Sequence, residues 1–304
     1  MKLTVRVPAT SANLGSGSDC LGLALSLYLT VSFETAETDS FTFGRGFDEP
    51  IPENDNLVLT AMKLYECRSG RQLPPLTITM ESDIPVSRGL GSSSSAIIAG
   101  LLGAAAVLGD EPDDDYILHL ATEIEGHPDN VTPALLGGFT MAMYDGNALM
   151  YRRYALPEME LITAVPSYRL STQKARKVLP KEIPLKDAIS QLQRAVLLSA
   201  ALASGEISGL RALTEDSFFT PNRKALMPGY EQAVKAAENA GALCAMTSGA
   251  GPTILAVANG GNGGAVGCAM LAALNAAGVE AEIFRLKPDN EGAVIIRKKG
   301  NPEQ

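Results

Sequence analysis

The stretch IPVSRGLGSSSS at residues 84–95 runs directly into the apolar segment Ala96–Leu108. Glycines allow a backbone to turn tightly and to come close to a ligand. The first amides of a helix have no acceptor within the helix, and the helix dipole favours negative charge there. Four serine hydroxyls add further donors. The stretch therefore predicts a phosphate-binding loop at the N-terminus of a buried helix.

A serine-rich turn that only caps the helix is the simplest alternative, since serine is a favoured N-cap residue. Four serines in succession exceed what one cap requires, and burying them would call for polar partners. The sequence contains no GxxxxGK[ST] motif and no GxGxxG motif that follows a strand. Their absence excludes a P-loop and a dinucleotide-binding turn, so we expect a phosphate loop of another type.

Strand and helix patterns mix irregularly along the chain. Strands are predicted at Lys2–Val7, Leu21–Thr35, Leu76–Ser82, Gly138–Tyr144, Glu160–Val165, Ala242–Thr247, Thr253–Val257 and Glu280–Arg285. Helices are predicted at Leu57–Cys67, Ala96–Leu108, Asp113–Glu125, Lys186–Ser204, Tyr230–Ala240 and Val266–Ala277. Because strict βαβ alternation is missing, the pattern favours α+β layers over a doubly wound sheet. We expect two domains, residues 1–155 and 156–304.

Composition and charge exclude several classes of protein. Of the 304 residues 46% are hydrophobic and 19% charged, as in a folded globular chain. A net charge of −9 without a Lys/Arg cluster excludes nucleic-acid binding, which depends on neutralising phosphates. The four cysteines form no CxxC pair, the first residues read as a strand and not as a leader, and the longest apolar run is too short to cross a bilayer. We therefore expect a cytoplasmic protein that binds neither nucleic acid nor membrane.

Two further glycine-rich segments flank the loop: PATSANLGSGSDCLG at residues 8–22 and TSGAGPT at residues 247–253. Three such segments in this order, spanning nearly the whole chain, resemble the GHMP kinases, the family of galactokinase, homoserine kinase, mevalonate kinase and phosphomevalonate kinase. The resemblance implies an ATP-dependent kinase that uses Mg²⁺. It also implies an N-terminal ribosomal-protein-S5-like domain, which carries the phosphate loop, and a C-terminal ferredoxin-like α/β-plait domain, which completes the substrate site.

Within that family the motifs resemble those of the homoserine kinase branch. They are SANLG at residues 11–15 with Asp19, EGHPDNV at 125–131, LST at 170–172 with KAR at 174–176, and Pro221 and Arg223 after Asp216. One departure is Ser18, where the family commonly has an aromatic residue. The resemblance implies phosphorylation of the side-chain hydroxyl of L-homoserine, a step toward threonine, by a homodimer.

The same resemblance implies which residues form the site. The nucleotide would be bound by Pro85, Val86, Ser87, Arg88, Gly89, Leu90, Gly91, Ser92, Ser93, Ser94, Ser95 and Asn56. The substrate would be bound by Asn13, Asp19, Asn130, Thr172, Arg176, Arg223 and Gly249. Magnesium would be held by Ser93 and Glu123, with Glu125 as the alternative. The residues closest to the reaction would be Asn130, Ser93 and Glu123.

These residue types suit the chemistry. The planar fork of arginine binds a carboxylate bidentately, which makes Arg176 and Arg223 candidates for the substrate carboxylate. Asp19 and Asn13 can supply oxygens to an ammonium group. An amide has no useful basicity, so we expect Asn130 to orient the hydroxyl while its proton passes directly to the γ-phosphate.

Some assignments remain open on the residues alone. Asp129 is a rival general base, while His127 is expected to orient the loop before Asn130 rather than to transfer protons. Arg176 reads equally well as a solvated helix residue and Asp19 as a turn acid. The resemblance favours the functional interpretation of both.

Two other functions stay open. One is a kinase for another small alcohol such as mevalonate, although the two arginines and Asn130 argue against it. The other is a non-catalytic member of the fold that senses a ligand. Loss of the loop serines or of the glutamates would favour that second function, and both sets are present.

Overall fold

The computed structural model describes residues 1–47, 49–111 and 113–297. Two β-sheets with helices packed against them give an α+β arrangement, which confirms the predicted fold class. Residues 298–304, part of the predicted second domain, lie outside the described residues. Within the described ranges, no helix combines the length and the apolar character that a membrane crossing requires.

The strands are β1 (Lys2–Ala12), β2 (Leu21–Thr35), β3 (Ser40–Phe43), β4 (Leu76–Ser82), β5 (Phe139–Tyr144), β6 (Leu149–Tyr154), β7 (Leu161–Pro166), β8 (Cys244–Thr247), β9 (Ile254–Val257), β10 (Ala281–Leu286) and β11 (Val294–Arg297). The α-helices are α1 (Leu57–Ser69), α2 (Ser92–Leu108), α3 (Asp114–Glu125), α4 (Pro128–Leu136), α5 (Thr172–Lys177), α6 (Leu185–Ser204), α7 (Leu210–Leu213), α8 (Phe219–Arg223), α9 (Tyr230–Asn239) and α10 (Gly263–Ala276). Short 3-10 turns lie at Glu53–Asp55 and Lys224–Leu226.

The first sheet is built around β1 and β2, which pair antiparallel over nearly their whole length. The far half of β2, Leu29–Thr35, pairs with β4, and its first residues, Leu21–Leu23, pair with β5. β3 lies parallel to β4 at one edge, and β6 pairs with β5. Because β2 is long, it pairs on one side of the sheet with both β4 and β5. β4 leads into the loop at residues 84–95, and β5 follows the segment at residues 125–131.

The predicted domain boundary at residue 155 falls between β6 and β7, where the chain passes from one sheet to the other. β11, however, pairs antiparallel with β1. Residues 294–297, assigned by the prediction to the second domain, therefore complete the first sheet. A strand edge left open on β1 would present unpaired backbone groups, and β11 covers it.

The second sheet has the strand order β10-β7-β9-β8 with every neighbouring pair antiparallel. β7 lies inside the sheet and is buried along its whole length. Helices α9 and α10 pack against each other and against these strands. This βαββαβ order of strands is that of a ferredoxin-like plait.

Helix α2 lies at the centre of the first domain, in contact with α1, α3, α4 and β1. Two glycines let it approach its neighbours closely. A Cβ at Gly103 would lie 2.2 Å from Cζ of Phe33, and a Cβ at Gly100 would lie 2.4 Å from the carbonyl oxygen of Val58. The glycines of α2 therefore allow the helix axis to lie close to β2 and to α1.

We expect Gly103→Ala to lower the free energy of unfolding by about 1–2 kcal/mol, because overpacking against Phe33 outweighs the gain in helix propensity. Gly264→Ala in α10 is the matched control, since a Cβ at Gly264 meets nothing within 4 Å. It should leave stability unchanged or raise it by up to about 1 kcal/mol. Thermal and denaturant unfolding of both variants measures the difference, and equal stability of the two would contradict the packing argument.

Candidate active site

The phosphate loop has the shape expected of an anion cradle. Ser87, Gly89 and Gly91 all have positive φ, at 58°, 84° and 67°. Helix α2 begins at Ser92 rather than at the predicted Ala96, because Gly91 in the left-handed conformation serves as its N-cap. The serines at 92–95 therefore form the first turn of the helix, where backbone amides lack partners within the helix.

The three glycine-rich segments meet at this loop. The hydroxyl of Ser248 donates to the carbonyl of Gly89 at 2.6 Å, and its oxygen lies 2.8 Å from the hydroxyl oxygen of Ser11. A Cβ at Gly89 would lie 2.4 Å from the carbonyl oxygen of Ser248, and one at Gly91 would lie 1.8 Å from Oγ1 of Thr10. Side chains at either glycine would separate the segments, so glycine is required by close approach as well as by φ.

Two clefts meet at the loop, one of about 210 Å³ and one of about 700 Å³. Both are lined by Ser87, Ser92 and Ser93. A ligand in either cleft can therefore reach the N-terminus of α2, and two ligands bound together would meet at these serines.

The larger cleft carries most of the predicted nucleotide residues: Asn56, Pro85, Val86, Ser87, Arg88, Ser92 and Ser93. Gly89 and Gly91 line the smaller cleft, and Leu90, Ser94 and Ser95 are buried beneath the loop. The side chain of Asn56 caps α1 by accepting from the amides of Val58 at 3.0 Å and Leu59 at 3.4 Å. Asn56 thus lines the cleft in which the nucleotide contact is predicted, while its amide oxygen already accepts the hydrogen bonds that cap α1.

The smaller cleft brings together every predicted substrate residue: Asn13, Asp19, Asn130, Thr172, Arg176, Arg223 and Gly249. Arg176 donates to both carboxylate oxygens of Asp19, at 2.8 and 3.2 Å. Asn13 accepts from the amide of Asp19 at 2.9 Å and donates to the carbonyl of Gly249 at 2.8 Å. These bonds tie the first and third glycine-rich segments to α5 at the mouth of the cleft.

Arg223 is only 6% exposed, and its Nε donates to the carbonyl of Ala175 at 3.2 Å. Its guanidinium lies 5.5 Å from the centroid of the Phe219 ring. The carboxylate of Asp216 accepts hydrogen bonds from the backbone amides at the start of α8, those of Phe218 at 3.0 Å and Phe219 at 2.9 Å. Within residues 1–47, 49–111 and 113–297, no carboxylate forms an ion pair with Arg223. Burial lowers the pKa of Arg223, an effect that the charges of Asp216, Asp19 and Asp129 only partly offset.

The two glutamates that end α3 point in different directions. Glu123 pairs with Arg68 at 2.6 Å on the outer surface and lines neither cleft. Glu125 accepts from the hydroxyl of Ser93 at 2.8 Å and lines the smaller cleft. The structure thus places Ser93 beside the alternative, Glu125, and leaves the predicted ligand Glu123 outside both clefts. Burial raises the pKa of Glu125, an effect that the Ser93 hydrogen bond and the charge of His127 only partly offset.

The segment EGHPDNV at residues 125–131 forms a chain of contacts beside the smaller cleft. Nδ1 of His127 lies 2.5 Å from Oδ1 of Asp129, whose side chain is almost wholly buried. The amide nitrogen of Asn130 donates to the same Oδ1 at 3.4 Å, and its Oδ1 accepts from the hydroxyl of Thr10 at 2.7 Å. Burial lowers the pKa of His127, but the hydrogen bond and charge of Asp129 outweigh it and the net pKa is raised. Asn130 is therefore held from both sides with its amide at the cleft.

Several residues of the site were not assigned from the sequence. Thr10 fixes Asn130, Ser171 caps α5 by accepting from the amide of Lys174 at 3.2 Å, and Leu170 and Gly251 line the smaller cleft. A serine just before a helical segment was the available signal for Ser171. In the parts of the chain that the structure describes, no three His, Cys, Asp or Glu side chains gather into a metal-binding group.

Residues 56–138 match the family described as GHMP kinases N terminal domain, and residues 188–276 match GHMP kinases C terminal. The chain is 43% identical to a homoserine kinase of Clostridium beijerinckii, over 97% of this chain and 98% of that protein.

Solved structures of GHMP kinases have a similar fold. The crystal structure of a homoserine kinase from Cytophaga hutchinsonii superimposes with a TM-score of 0.88 at 27% identity and covers 97% of each chain. That of an L. major mevalonate kinase has a TM-score of 0.71 at 16% identity and covers 94% of this chain and 96% of that one, a likeness of fold. The family models match both domains, the homoserine kinase relative matches over nearly its whole length, and the predicted two-domain fold is confirmed. The chain therefore belongs to the GHMP kinase family.

Proposed function

We propose that this chain transfers the γ-phosphate of ATP to the side-chain hydroxyl of L-homoserine and releases ADP and O-phospho-L-homoserine, a step toward threonine. The observation that carries the proposal is the buried, unpaired Arg223 beside the Arg176–Asp19 pair in a cleft that ends at the phosphate loop. The homoserine kinase named among its relatives matches over nearly its entire length.

The charges of the smaller cleft complement an amino acid. A buried cation without an anionic partner is costly, and a substrate carboxylate would supply that partner to Arg223. Arg176 can share the carboxylate, while Asp19 and the amide oxygen of Asn13 lie where an α-ammonium group can be bound. Mevalonate has a carboxylate but no ammonium group, so Asp19 would have no role in binding it.

ATP would occupy the larger cleft with its phosphates at the start of α2. The free amides and the dipole of that helix favour the negative charge of the phosphates. Ser92 and Ser93 line both clefts, so they would lie where the γ-phosphate meets the substrate hydroxyl. Positioning the two reactants in this way supplies much of the catalysis in phosphoryl transfer.

Magnesium would be held by Ser93 and Glu125. A hydroxyl and a carboxylate that share a hydrogen bond of 2.8 Å offer the oxygen ligands that Mg²⁺ prefers. Two protein ligands suit an ion that keeps several waters and is completed by nucleotide phosphates, and this agrees with the lack of a larger acidic cluster in the described residues. When bound, the ion would neutralise charge on the phosphates.

The substrate proton would pass to the transferred phosphate without a protein base. Asn130 is fixed by Thr10 and Asp129, so its amide can orient the hydroxyl. Asp129 is almost wholly buried, and its Oδ1 is already bonded to Nδ1 of His127 and to the amide nitrogen of Asn130. A carboxylate held in this way is a poor general base.

A homodimer in the cytoplasm completes the proposal, as the resemblance implies. The outer face of α6 supports self-association, since Leu185, Ile189, Leu192 and Val196 are exposed at the spacing with which two helices pack together. Sedimentation equilibrium distinguishes the mass of two chains from that of one.

The function is tested by ADP release with Mg-ATP and a panel of L-homoserine, D-homoserine, L-serine, mevalonate and galactose. Strong turnover is expected with L-homoserine alone. Mevalonate and galactose have no ammonium group, L-serine is one methylene shorter, and D-homoserine has the opposite configuration. Turnover confined to mevalonate or a sugar would overturn the substrate but keep the ATP site. ATP binding without any turnover would favour a ligand sensor.

Glu125→Gln should lower kcat/KM by about 10²-fold and raise the Mg²⁺ concentration needed for half-maximal activity, because a metal ligand is lost. Since burial raises the pKa of Glu125, activity of the unaltered chain should fall at a higher pH on acidification than an ordinary glutamate would cause. Glu123→Gln is the matched control and breaks only a surface ion pair. Magnesium titrations that rank the two variants in the opposite order would restore Glu123 to the site.

Asp129→Asn should retain turnover within about tenfold of the unaltered chain, because the variant keeps the shape of Asp129 and no base is needed. Single-turnover kinetics with saturating L-homoserine measures the chemical step. A loss on the order of 10²-fold or more, in a variant with unchanged thermal unfolding, would identify Asp129 as the general base.

A further inference from the structure

We propose that Arg169 is a nucleotide-binding residue whose guanidinium holds the phosphate chain of ATP together with the amides at the start of α2. The role rests on the proposed function, since it requires ATP in the larger cleft. It assigns a task to a residue that lies outside the glycine-rich loop and is contributed by the chain that follows β7.

The larger cleft needs positive charge and has little. Among the described residues that line it, the cations are Arg88 and Arg169, whereas Glu49 and Asp55 are anionic. The loop also lacks the lysine with which a P-loop neutralises phosphates. A chain with a net charge of −9 must therefore supply its phosphate-binding charge locally.

Arg88 is already engaged in holding the structure together. Its guanidinium donates to the carbonyl of Ser167 at 2.6 Å, and its Nε is buried. Arg169, in contrast, is exposed and makes no hydrogen bond or ion pair with any part of the chain that the structure describes. Of the two arginines on the cleft, Arg169 is the one whose five donors are available to a ligand.

The backbone on both sides of Arg169 is fixed against the phosphate loop. The carbonyl of Ser167 accepts the bond from Arg88, and the amide of Leu170 donates to the carbonyl of Ser87 at 3.3 Å. The Ser167 amide also donates to the carbonyl of Glu280 in the second domain at 2.8 Å, and the Leu170 side chain is buried. Arg169 therefore projects from an anchored segment, although its own side chain is unrestrained.

An arginine in this place suits a phosphate ligand. Its planar fork matches two phosphate oxygens, and such charge-assisted bonds are stronger than neutral ones. The same segment continues into α5, which carries Arg176 to the substrate cleft. One stretch of the second domain would thus place a cation at each of the two ligands.

The test measures nucleotide binding in the absence of any phosphate acceptor, by calorimetric titration with Mg-ATP and, separately, with adenosine. Arg169→Met should weaken ATP binding by about 10- to 100-fold and leave adenosine binding unchanged, because only the phosphate contact is lost. Arg169→Lys should recover part of the affinity, since it keeps the charge but not the fork. Lys181→Met removes one exposed positive charge beyond α5 and is the matched control.

Three outcomes would overturn the proposal. ATP affinity in Arg169→Met equal to that in Lys181→Met would leave the arginine without a role. Equal weakening of ATP and adenosine would indicate a structural effect instead of a phosphate contact. Absence of ATP binding in the unaltered chain would overturn the proposed function itself, and Arg169's role with it.

Discussion

The close packing of backbone at Gly89 is the constraint on which the site depends. The carbonyl oxygen of Ser248 lies so near Gly89 that no Cβ fits at that position, and the Ser248 hydroxyl donates to the carbonyl of Gly89. Residues more than 150 positions apart are thereby joined beside the first turn of α2. The two domains meet at the phosphate loop itself, so a ligand bound there contacts both, and the relative placement of the domains becomes part of the active site.

The fold could be predicted wherever a periodic pattern was long. β2 and β4 have the predicted bounds, and the apolar run at Ala96–Leu108 is the buried body of α2. The start of α2 was wrong, because serines favour caps and turns, and only Gly91 marked the true beginning. Helix α4 was missed because Pro133 lies inside it, and β11 because its role depends on an edge of β1 far away in sequence.

The sequence predicted which side chains lie together in the smaller cleft, but not how they pair with one another. The motifs of the resemblance name side chains that the structure gathers into one cleft, since the glycines that carry those motifs also fix the geometry. The choice between Glu123 and Glu125 depended on which face of α3 is buried. Glu125 lies four positions after Ala121 and seven after Leu118, both buried, so helical periodicity indicates that Glu125 lies on the inner side of α3. The pairing of Arg176 with Asp19, in contrast, joins segments whose approach no local pattern encodes.

The two arginines of the smaller cleft differ in their surroundings. Arg176 already has Asp19 as a partner at the mouth, so a substrate carboxylate would join an existing pair and leave its charge balanced. Arg223 is buried beside an aromatic ring without any such partner in the described chain, so the same carboxylate would relieve a cost already present in the folded protein. Most of the binding energy for an amino acid would then come from Arg223, while Arg176 and Asp19 select for the ammonium group and close the mouth. Ser92 and Ser93 line the same cleft as Arg223, so a substrate held by its carboxylate at Arg223 would share that cleft with phosphates bound at the start of α2.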